Sequence, residues 1–366
     1  MRPPARIGQR FEEVDTPALV VDLDAFERNL RAMAQAVAGR GVRVRAHAKT
    51  HKCPEIARRQ IAAGAIGVCC QKVSEAEAMV DGGIEDVLIS NEVVGAQKLE
   101  RLAALSQRAR LGICVDNPEN LKALAASGAK LDVYVEINVG ARRCGVPSSE
   151  AALALAKEII SNKNFRFAGL QAYHGRAQHL RTPAERRAAI AQAAEKVTAT
   201  EELLNKAGIE CPVVTGAGSG SFMLEVESRL WNEIQPGSYI FMDADYARNE
   251  WAPPLPRFEH SLFVLSTVMS RPAPDLAILD AGLKASSVDS GMPTVWQKPG
   301  LVYAGASDEH GRVEIAPGAE APRLGDKLLL VPGHCDPTVN LYDWYVCMRG
   351  DAVEALWPIT ARGAVY

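Results

Sequence analysis

The sequence predicts an α/β protein: a closed (β/α)8 TIM-type barrel followed by a C-terminal all-β domain. Eight short apolar runs, at 42–47, 65–70, 86–90, 110–115, 131–138, 166–173, 212–215 and 233–242, alternate with alanine-rich helical segments. Helix start signals fall soon after several of these runs, which gives the strand, loop, helix order of a βα unit. Beyond roughly residue 250 the helical segments stop. An open doubly wound sheet is the alternative, because alternation by itself does not show closure.

The elements justify themselves in order. After the Asp15-Thr16-Pro17 turn, the apolar run 18–23 leads to Asp24 and Glu27, which read as a capping box opening a helix with Leu30, Met33 and Val37 on one face. Further starts are Ser74 with Glu77, Asn117 before Pro118, and Thr182-Pro183 with Glu185. Past the proline-rich stretch 249–257, strand-like runs follow at 263–270, 277–281, 301–306, 313–316, 327–332, 345–348 and 353–358. We therefore place a barrel at 15–250 and a β domain at 251–366, with residues 1–14 free to join the latter.

Composition narrows the function. The 366 residues are 48% hydrophobic and carry a formal net charge of −3, enough for a large core and without the basic excess that nucleic-acid binding needs. The start of the chain is polar and Arg/Pro-rich, and no later apolar run is long enough to span a bilayer, so a soluble cytoplasmic protein is expected. Eight cysteines lie scattered with no CxxC pair, which excludes a zinc ribbon or a secreted disulfide framework and marks Cys69, Cys70 and Cys114 as buried thiols.

In such barrels chemistry gathers at the C-terminal ends of the strands. His47, Lys49 and His51 follow the first run, Gln71 the second, Arg142 and Arg143 the fifth, and Tyr173, His174 and His179 the sixth. The seventh is followed by Gly216-Ala217-Gly218-Ser219-Gly220-Ser221, and the eighth contains or precedes Gly237, Ser238, Asp243, Asp245 and Tyr246. A lysine at a strand mouth with histidines beside it can form an imine with an aldehyde cofactor; a solvated surface lysine is the ordinary alternative. The Gly/Ser loop offers backbone N–H groups and hydroxyls to an anion, but it lacks both the Lys-Ser/Thr ending of a P-loop and the dinucleotide spacing, so a monophosphate is the better match.

Several ordered blocks carry a resemblance across nearly the whole chain. They are Asp15-Thr16-Pro17-Ala18-Leu19-Val20, His47-Ala48-Lys49-Thr50-His51-Lys52-Cys53-Pro54, Cys69-Cys70-Gln71-Lys72-Val73-Ser74-Glu75, and Arg143-Cys144-Gly145-Val146. Gln171-Ala172-Tyr173-His174-Gly175, Gln235-Pro236-Gly237-Ser238-Tyr239 and Pro332-Gly333-His334-Cys335-Asp336-Pro337-Thr338 complete the set. The chain resembles the D-threonine aldolase family, related to D-serine dehydratases and more distantly to alanine racemase, the fold-type III enzymes of pyridoxal 5′-phosphate. The resemblance implies an alanine racemase-like fold, a homodimer, and Lys49 as the cofactor-bonded lysine. Arg143 would lie near the phenolic oxygen; Gly218 and Ser219, with Gly237 and Ser238, would hold the phosphate; Gln71, Tyr173 and Tyr246 would be further cofactor contacts. Gln235 stands where alanine racemase has arginine, which tunes the pyridine nitrogen differently.

His334 and Asp336 are two residues apart, so on an extended segment they share a face and can bind one cation. An imidazole and a carboxylate suit Mn²⁺, with Mg²⁺ or Co²⁺ as alternatives; a loop histidine beside a solvated aspartate is the ordinary reading. The related dehydratases carry cysteine at the second ligand position, where this chain has Asp336. The expected reaction is retro-aldol cleavage of a small-molecule β-hydroxy-D-amino acid, D-threonine giving glycine and acetaldehyde. The expected base is His179 or a metal-bound water, with His51 next.

Alternatives on the same scaffold are a 3-hydroxy-D-aspartate aldolase, with Arg142 or Arg176 for the second carboxylate, and a D-threo-3-hydroxyaspartate or D-serine dehydratase. A racemase or a non-catalytic cofactor-binding protein would be further departures. Asp308-Glu309-His310 is read as a solvated loop, and the five tryptophans as core or dimer surface.

Overall fold

The computed structural model describes residues 2–366. Its parallel sheet runs through nine segments, beginning with Arg43–Val44 and ending with Ala46–His47. These two ends are halves of one strand broken at Arg45. Arg43–Val44 pairs with Glu233–Ile234, while Ala46–His47 pairs with Val68–Cys70. The backbone N–H groups of Arg45 and His47 donate to Ile234 and Pro236 at 2.9 and 3.0 Å, so the ring closes as an eight-stranded barrel and the open sheet is excluded.

The other sheet changes the expected boundary. Strand Ala18–Asp22 pairs antiparallel with Leu262–Ala273 and parallel with Trp344–Arg349, in the middle of the β domain. Residues 15–22 therefore belong with the C-terminal strands rather than with the barrel. Helix Leu23–Val37 then hands the chain over. Its cap is Asp22, whose side chain accepts from the Asp24 and Ala25 N–H groups, instead of the expected Asp24 box. Likewise helix Val73–Asp81 is capped by Glu75 accepting from Gln71 and Lys72, two residues earlier than Ser74 and Glu77 suggested. Asn117 and the Thr182–Glu185 pair cap as expected.

Several barrel strands are shorter than their apolar runs. The run 233–242 yields only Glu233–Ile234 before a 3-10 turn at Ser238–Ile240, because Pro236 has no N–H with which to continue the ladder. The β domain, expected to be free of helices, contains the short helix Cys335–Val339. No helix among the described residues is long and apolar enough to cross a membrane. All eight cysteines are free, and Cys69, Cys70 and Cys114 are buried.

Inside the barrel, Cys69, Leu88, Cys114, Tyr134, Ala168 and Val213 form one apolar cluster. Next to it lies a buried ion network: Arg45 Nε donates to Glu233 Oε1 at 3.0 Å and Nη1 to Asp86 Oδ1 at 2.5 Å. Thr215 Oγ1 donates to the same Glu233 oxygen, and Gln235 donates in turn to Thr215, leading the polar column toward the mouth. Removing one partner would strand a buried charge. Arg45→Ala is expected to destabilise the fold by about 3–5 kcal/mol, measured by chemical denaturation.

The helix Phe222–Ser228 follows the seventh strand and carries Glu225, a fully enclosed carboxyl. Burial pushes its pKa up to about 7, against the hydrogen bond from Ser221. A buried acid with a raised pKa binds its proton more tightly in the folded state. Its stabilising share is therefore complete below the unfolded pKa and is lost as pH rises toward 7 and beyond. Glu225→Gln should flatten the fall in stability between about pH 5 and 8, by roughly 3 kcal/mol at the upper end. Denaturation midpoints measured across that range check it; parallel curves for both proteins would refute it.

Candidate active site

Lys49 lies in the single turn Ala48–Thr50 immediately after the first barrel strand. The His47 side chain caps this turn, its Nδ1 accepting from the Lys49 N–H at 3.4 Å. Lys49 Nζ makes a direct ion pair with Asp336 from the β domain. Burial by itself would lower the ammonium pKa, but Asp336, with Tyr173 adding to it, raises it. Burial likewise disfavours the Asp336 carboxylate, yet Lys49 and His334 hold it at about 2.

The cleft around Lys49 encloses about 270 Å³ and brings together most of the expected cofactor residues: Gln71, Arg143, Tyr173, Gly218, Ser219, Gly237, Ser238 and Tyr246. Gln71 Nε2 lies 2.9 Å from His47 Nε2 and donates to Ser90 Oγ, so it fixes the imidazole that caps the lysine turn. Burial drives the His47 pKa well down, and Lys49 adds to the effect, so that ring is neutral. The Arg143 guanidinium lies over the Tyr173 ring at 5.5 Å.

The Gly/Ser loop is packed rather than loose. Its organiser is Gln178, a fully buried residue that belongs to no motif read above. Gln178 Oε1 accepts from the Gly220 N–H at 2.9 Å, and its Nε2 donates to Ser221 Oγ at 2.7 Å. A Cβ at Gly218 would come within 2.6 Å of Gln178 Oε1, and one at Gly237 within 2.5 Å of Thr50 Oγ1. Glycine lets both loops close around the cleft. Ser219 Oγ accepts from the Tyr239 N–H at 2.8 Å, which ties the seventh loop to the eighth.

The histidines separate. His179 Nδ1 is 2.6 Å from Asp245 Oδ2, and its ring lies 5.7 Å from that of Tyr246 at the cleft wall. Burial opposes ionisation of Asp245, but Arg181, Arg248 and His179 hold it at about 2. The carboxylate therefore fixes the proton on Nδ1 and leaves Nε2 as the acceptor. His51 is a correction. It is fully buried, its Nδ1 accepts from the Cys53 N–H at 3.1 Å, and its Nε2 meets Gln60 at 3.2 Å. Both nitrogens are committed and burial lowers its pKa to about 4, so it cannot act on substrate.

Asp336 meets the cleft at Lys49, and His334 lies two residues before it, outside the residues that line the cleft; the two are not on an extended segment. His334 is the N-cap of helix Cys335–Val339, and Asp336 is in its first turn. Asp336 Oδ1 is buried without a well-formed hydrogen bond, with the Thr50 hydroxyl, itself unpaired, as its near neighbour; an oxygen in that state is of the kind a cation satisfies. A different grouping, Glu92, Glu136 and Cys144, has ligand atoms within 4.8 Å of one another. Burial and then Glu92 raise the Glu136 pKa to about 8, with Arg143 Nη2 3.9 Å away. Burial and Glu92 favour the protonated form of Glu136, and the Arg143 cation beside it opposes a second positive charge there. Sequence reasoning missed it because Glu92 follows the third barrel strand, whereas Glu136 ends the fifth and Cys144 lies in the loop after it.

Comparison with known proteins agrees with this geometry. Residues 21–245 match the family Alanine racemase, N-terminal domain, and residues 261–348 match the Putative serine dehydratase domain. A D-threonine aldolase of Arthrobacter sp. is 52% identical over 99% of this chain and 96% of its own length. A 3-hydroxy-D-aspartate aldolase of Paracoccus denitrificans is 45% identical over 99% of this chain and 96% of its own. The crystal structure of D-threonine aldolase from Filomicrobium marinum superposes with a TM-score of 0.97 at 52% identity, covering 100% of both chains. The barrel with its strand-mouth lysine, the β domain that meets it at Asp336, and these full-length matches show that the chain belongs to the D-threonine aldolase family of fold-type III, alanine racemase-like proteins.

Proposed function

We propose that the protein is a pyridoxal-phosphate-dependent lyase that cleaves β-hydroxy-D-amino acids, D-threonine first among them, to glycine and an aldehyde with the aid of a divalent cation. The carrying observation is the meeting of Lys49 and Asp336 in one cleft, beside the His179–Asp245 couple.

The residues fit the cofactor. Lys49 would bond it, the two glycine-bearing loops at Gly218–Ser219 and Gly237–Ser238 would hold its phosphate, and Arg143, Tyr173, Gln71 and Tyr246 would line its ring. When bound, pyridoxal phosphate supplies an electron sink at the amino-bearing carbon. The orphaned Asp336 Oδ1 and the His334 ring fit a hard divalent ion, read as Mn²⁺ with Mg²⁺ or Co²⁺ as alternatives, which would acidify the β-hydroxyl.

The chain's own part is proton handling. His179 Nε2 accepts the β-hydroxyl proton while Asp245 holds the ring and stabilises its charged form. The oxygen's electrons form the aldehyde C=O as the Cα–Cβ bond breaks, and Cα takes up a proton to leave glycine. Among the described residues the cations lining the cleft are Lys49 and Arg143, while Arg142 and Arg176 are exposed and outside it. A second substrate carboxylate has no free partner there, which favours D-threonine over 3-hydroxy-D-aspartate. The free thiols suit a reducing, cytoplasmic setting, and a homodimer is the assembly the family resemblance supports.

The test is product analysis of the holoenzyme with D-threonine. Glycine and acetaldehyde in equal amounts are expected, abolished by EDTA and restored by Mn²⁺; a 2-oxo acid with ammonia instead would make it a dehydratase. Lys49→Ala should lose both turnover and the visible absorbance of lysine-bound cofactor, and retention of both would overturn the assignment. Asp245→Asn should lower kcat by roughly 10²-fold or more with that absorbance intact, since it disturbs His179 alone among the reacting groups; unchanged kcat would remove His179 from the base role.

A further inference from the structure

The His334 ring is held by a second loop. Its Nδ1 lies 2.9 Å from Asp289 Oδ2 and 3.4 Å from Ser290 Oγ, both on a loop of the β domain remote in sequence. The Asp289 carboxylate is itself held: Ser287 Oγ donates to Oδ1 at 2.8 Å and Ser290 Oγ to Oδ2 at 2.9 Å. The loop cannot drift from His334 either. A Cβ on Gly333 would fall 1.9 Å from the Gly291 carbonyl oxygen, so the two backbones are in contact one residue before the histidine. Ser287 N–H donates to Thr338 Oγ1 at 3.2 Å, on the helix that carries Asp336. Arg248 Nη2 donates to the Ser290 carbonyl at 2.6 Å, and the same guanidinium holds Asp245, the partner of His179.

We propose that Asp289 is a positioning residue for the cation: by taking the Nδ1 hydrogen of His334 it fixes the ring and its tautomer so that Nε2 faces the ion beside Asp336. The inference rests on the reading of His334 and Asp336 as ligands. A carboxylate on the far nitrogen of a ligating imidazole both sets which nitrogen carries the proton and raises the basicity of the other. Ser287 and Ser290 keep the carboxylate in place before an ion arrives, so little side-chain freedom is lost on binding. Through Arg248 the same loop is joined to the His179–Asp245 couple, which makes the cation site and the proton acceptor parts of one hydrogen-bonded frame. His334 and His179 are thereby built alike, each with a carboxylate on Nδ1 and with Nε2 left for the substrate side.

The test measures Mn²⁺ affinity directly, by following free aqueous Mn²⁺ in electron paramagnetic resonance titrations of EDTA-treated holoenzyme. Asp289→Asn should weaken binding about 10–100-fold, with the circular dichroism and the lysine-bound cofactor absorbance unchanged. Ser290→Ala, which removes one of the hydroxyls holding Asp289, should produce a smaller loss in the same direction. Binding within twofold of wild type for Asp289→Asn, while His334→Ala and Asp336→Ala abolish it, would overturn the proposal. A loss as deep as that of His334→Ala would overturn it differently, making Asp289 a ligand. If His334→Ala and Asp336→Ala bind like wild type, the failure is that of the ligand assignment itself.

Discussion

The contact between Lys49 and Asp336 joins the end of a barrel strand to the first turn of a helix in another domain, and the site exists only where those two backbones are held together. Hydrogen bonds do the holding. The Asp243 carboxylate accepts from the Cys335 N–H at 3.0 Å, and the N–H groups of Ala244 and Asp245 donate to the Pro332 and Gly333 carbonyls. From the other side, Tyr345 of the β sheet donates its hydroxyl to the His51 carbonyl at 2.7 Å, just beyond the lysine turn. The Asp336 turn is thus fixed against the end of the barrel before any side chain chooses a partner. Two opposite charges placed this way neutralise each other at modest cost. Asp336, whose side chain is mostly buried, would be expensive to leave charged alone; Lys49 is more exposed and would lose less.

The same logic explains why the barrel interior is polar near its mouth. Arg45, Glu233, Thr215, Gln235 and Gln171 form a continuous column in which each donor meets an acceptor. An apolar filling would be easier to stabilise, but it could not present oriented amides to a polar ring at the top. Gln235 commits its Nε2 to Gln171 Oε1 and Thr215 Oγ1, at 2.7 and 2.8 Å, so what it offers the cleft is neutral. The column below it therefore sets the electrostatic character of the site, although none of its lower members lines the cleft.

Much of this was legible in the sequence, for reasons that differ residue by residue. The barrel could be read because each strand is an apolar run followed by a helix start such as Asn117-Pro118 or Thr182-Pro183, and these signals are local. The placement of residues 18–22 could not, since an apolar run of that length looks the same whichever sheet it joins; only pairing with Leu262 to Leu265 and with Tyr345 to Met348 decides it. His51 looked functional because it sits two residues from Lys49, but the lysine turn rotates it inward onto Gln60. Gln178, Asp289 and Glu136 left no mark because their partners lie 42 or more residues away, at Gly220, at His334 and in a cluster with Glu92. Sequence proximity reports the strand ends well and the partners of the strand ends poorly.

The block His334-Cys335-Asp336 shows how local structure selects chemistry. Taken as an extended segment, it would point positions 334 and 336 to one face and leave 335 as a bystander by alternation alone. The structure reaches the same choice by another route. His334 is extended, with φ −148° and ψ 126°, but the chain turns helical at Cys335, and the thiol is driven into the core with its Sγ 3.4 Å from the Met242 carbonyl. Burial there, with Asp243 and Asp336 nearby, pushes its pKa well up. Asp336, one residue on, faces Lys49 with an oxygen to spare. The donors that this segment would offer the proposed cation are therefore an imidazole and a carboxylate, a mixed nitrogen and oxygen set compatible with Mn²⁺. A thiolate in place of the carboxylate would shift preference toward zinc. In this chain the helix start at Cys335 turns the thiol into the core and the Asp336 carboxylate toward Lys49.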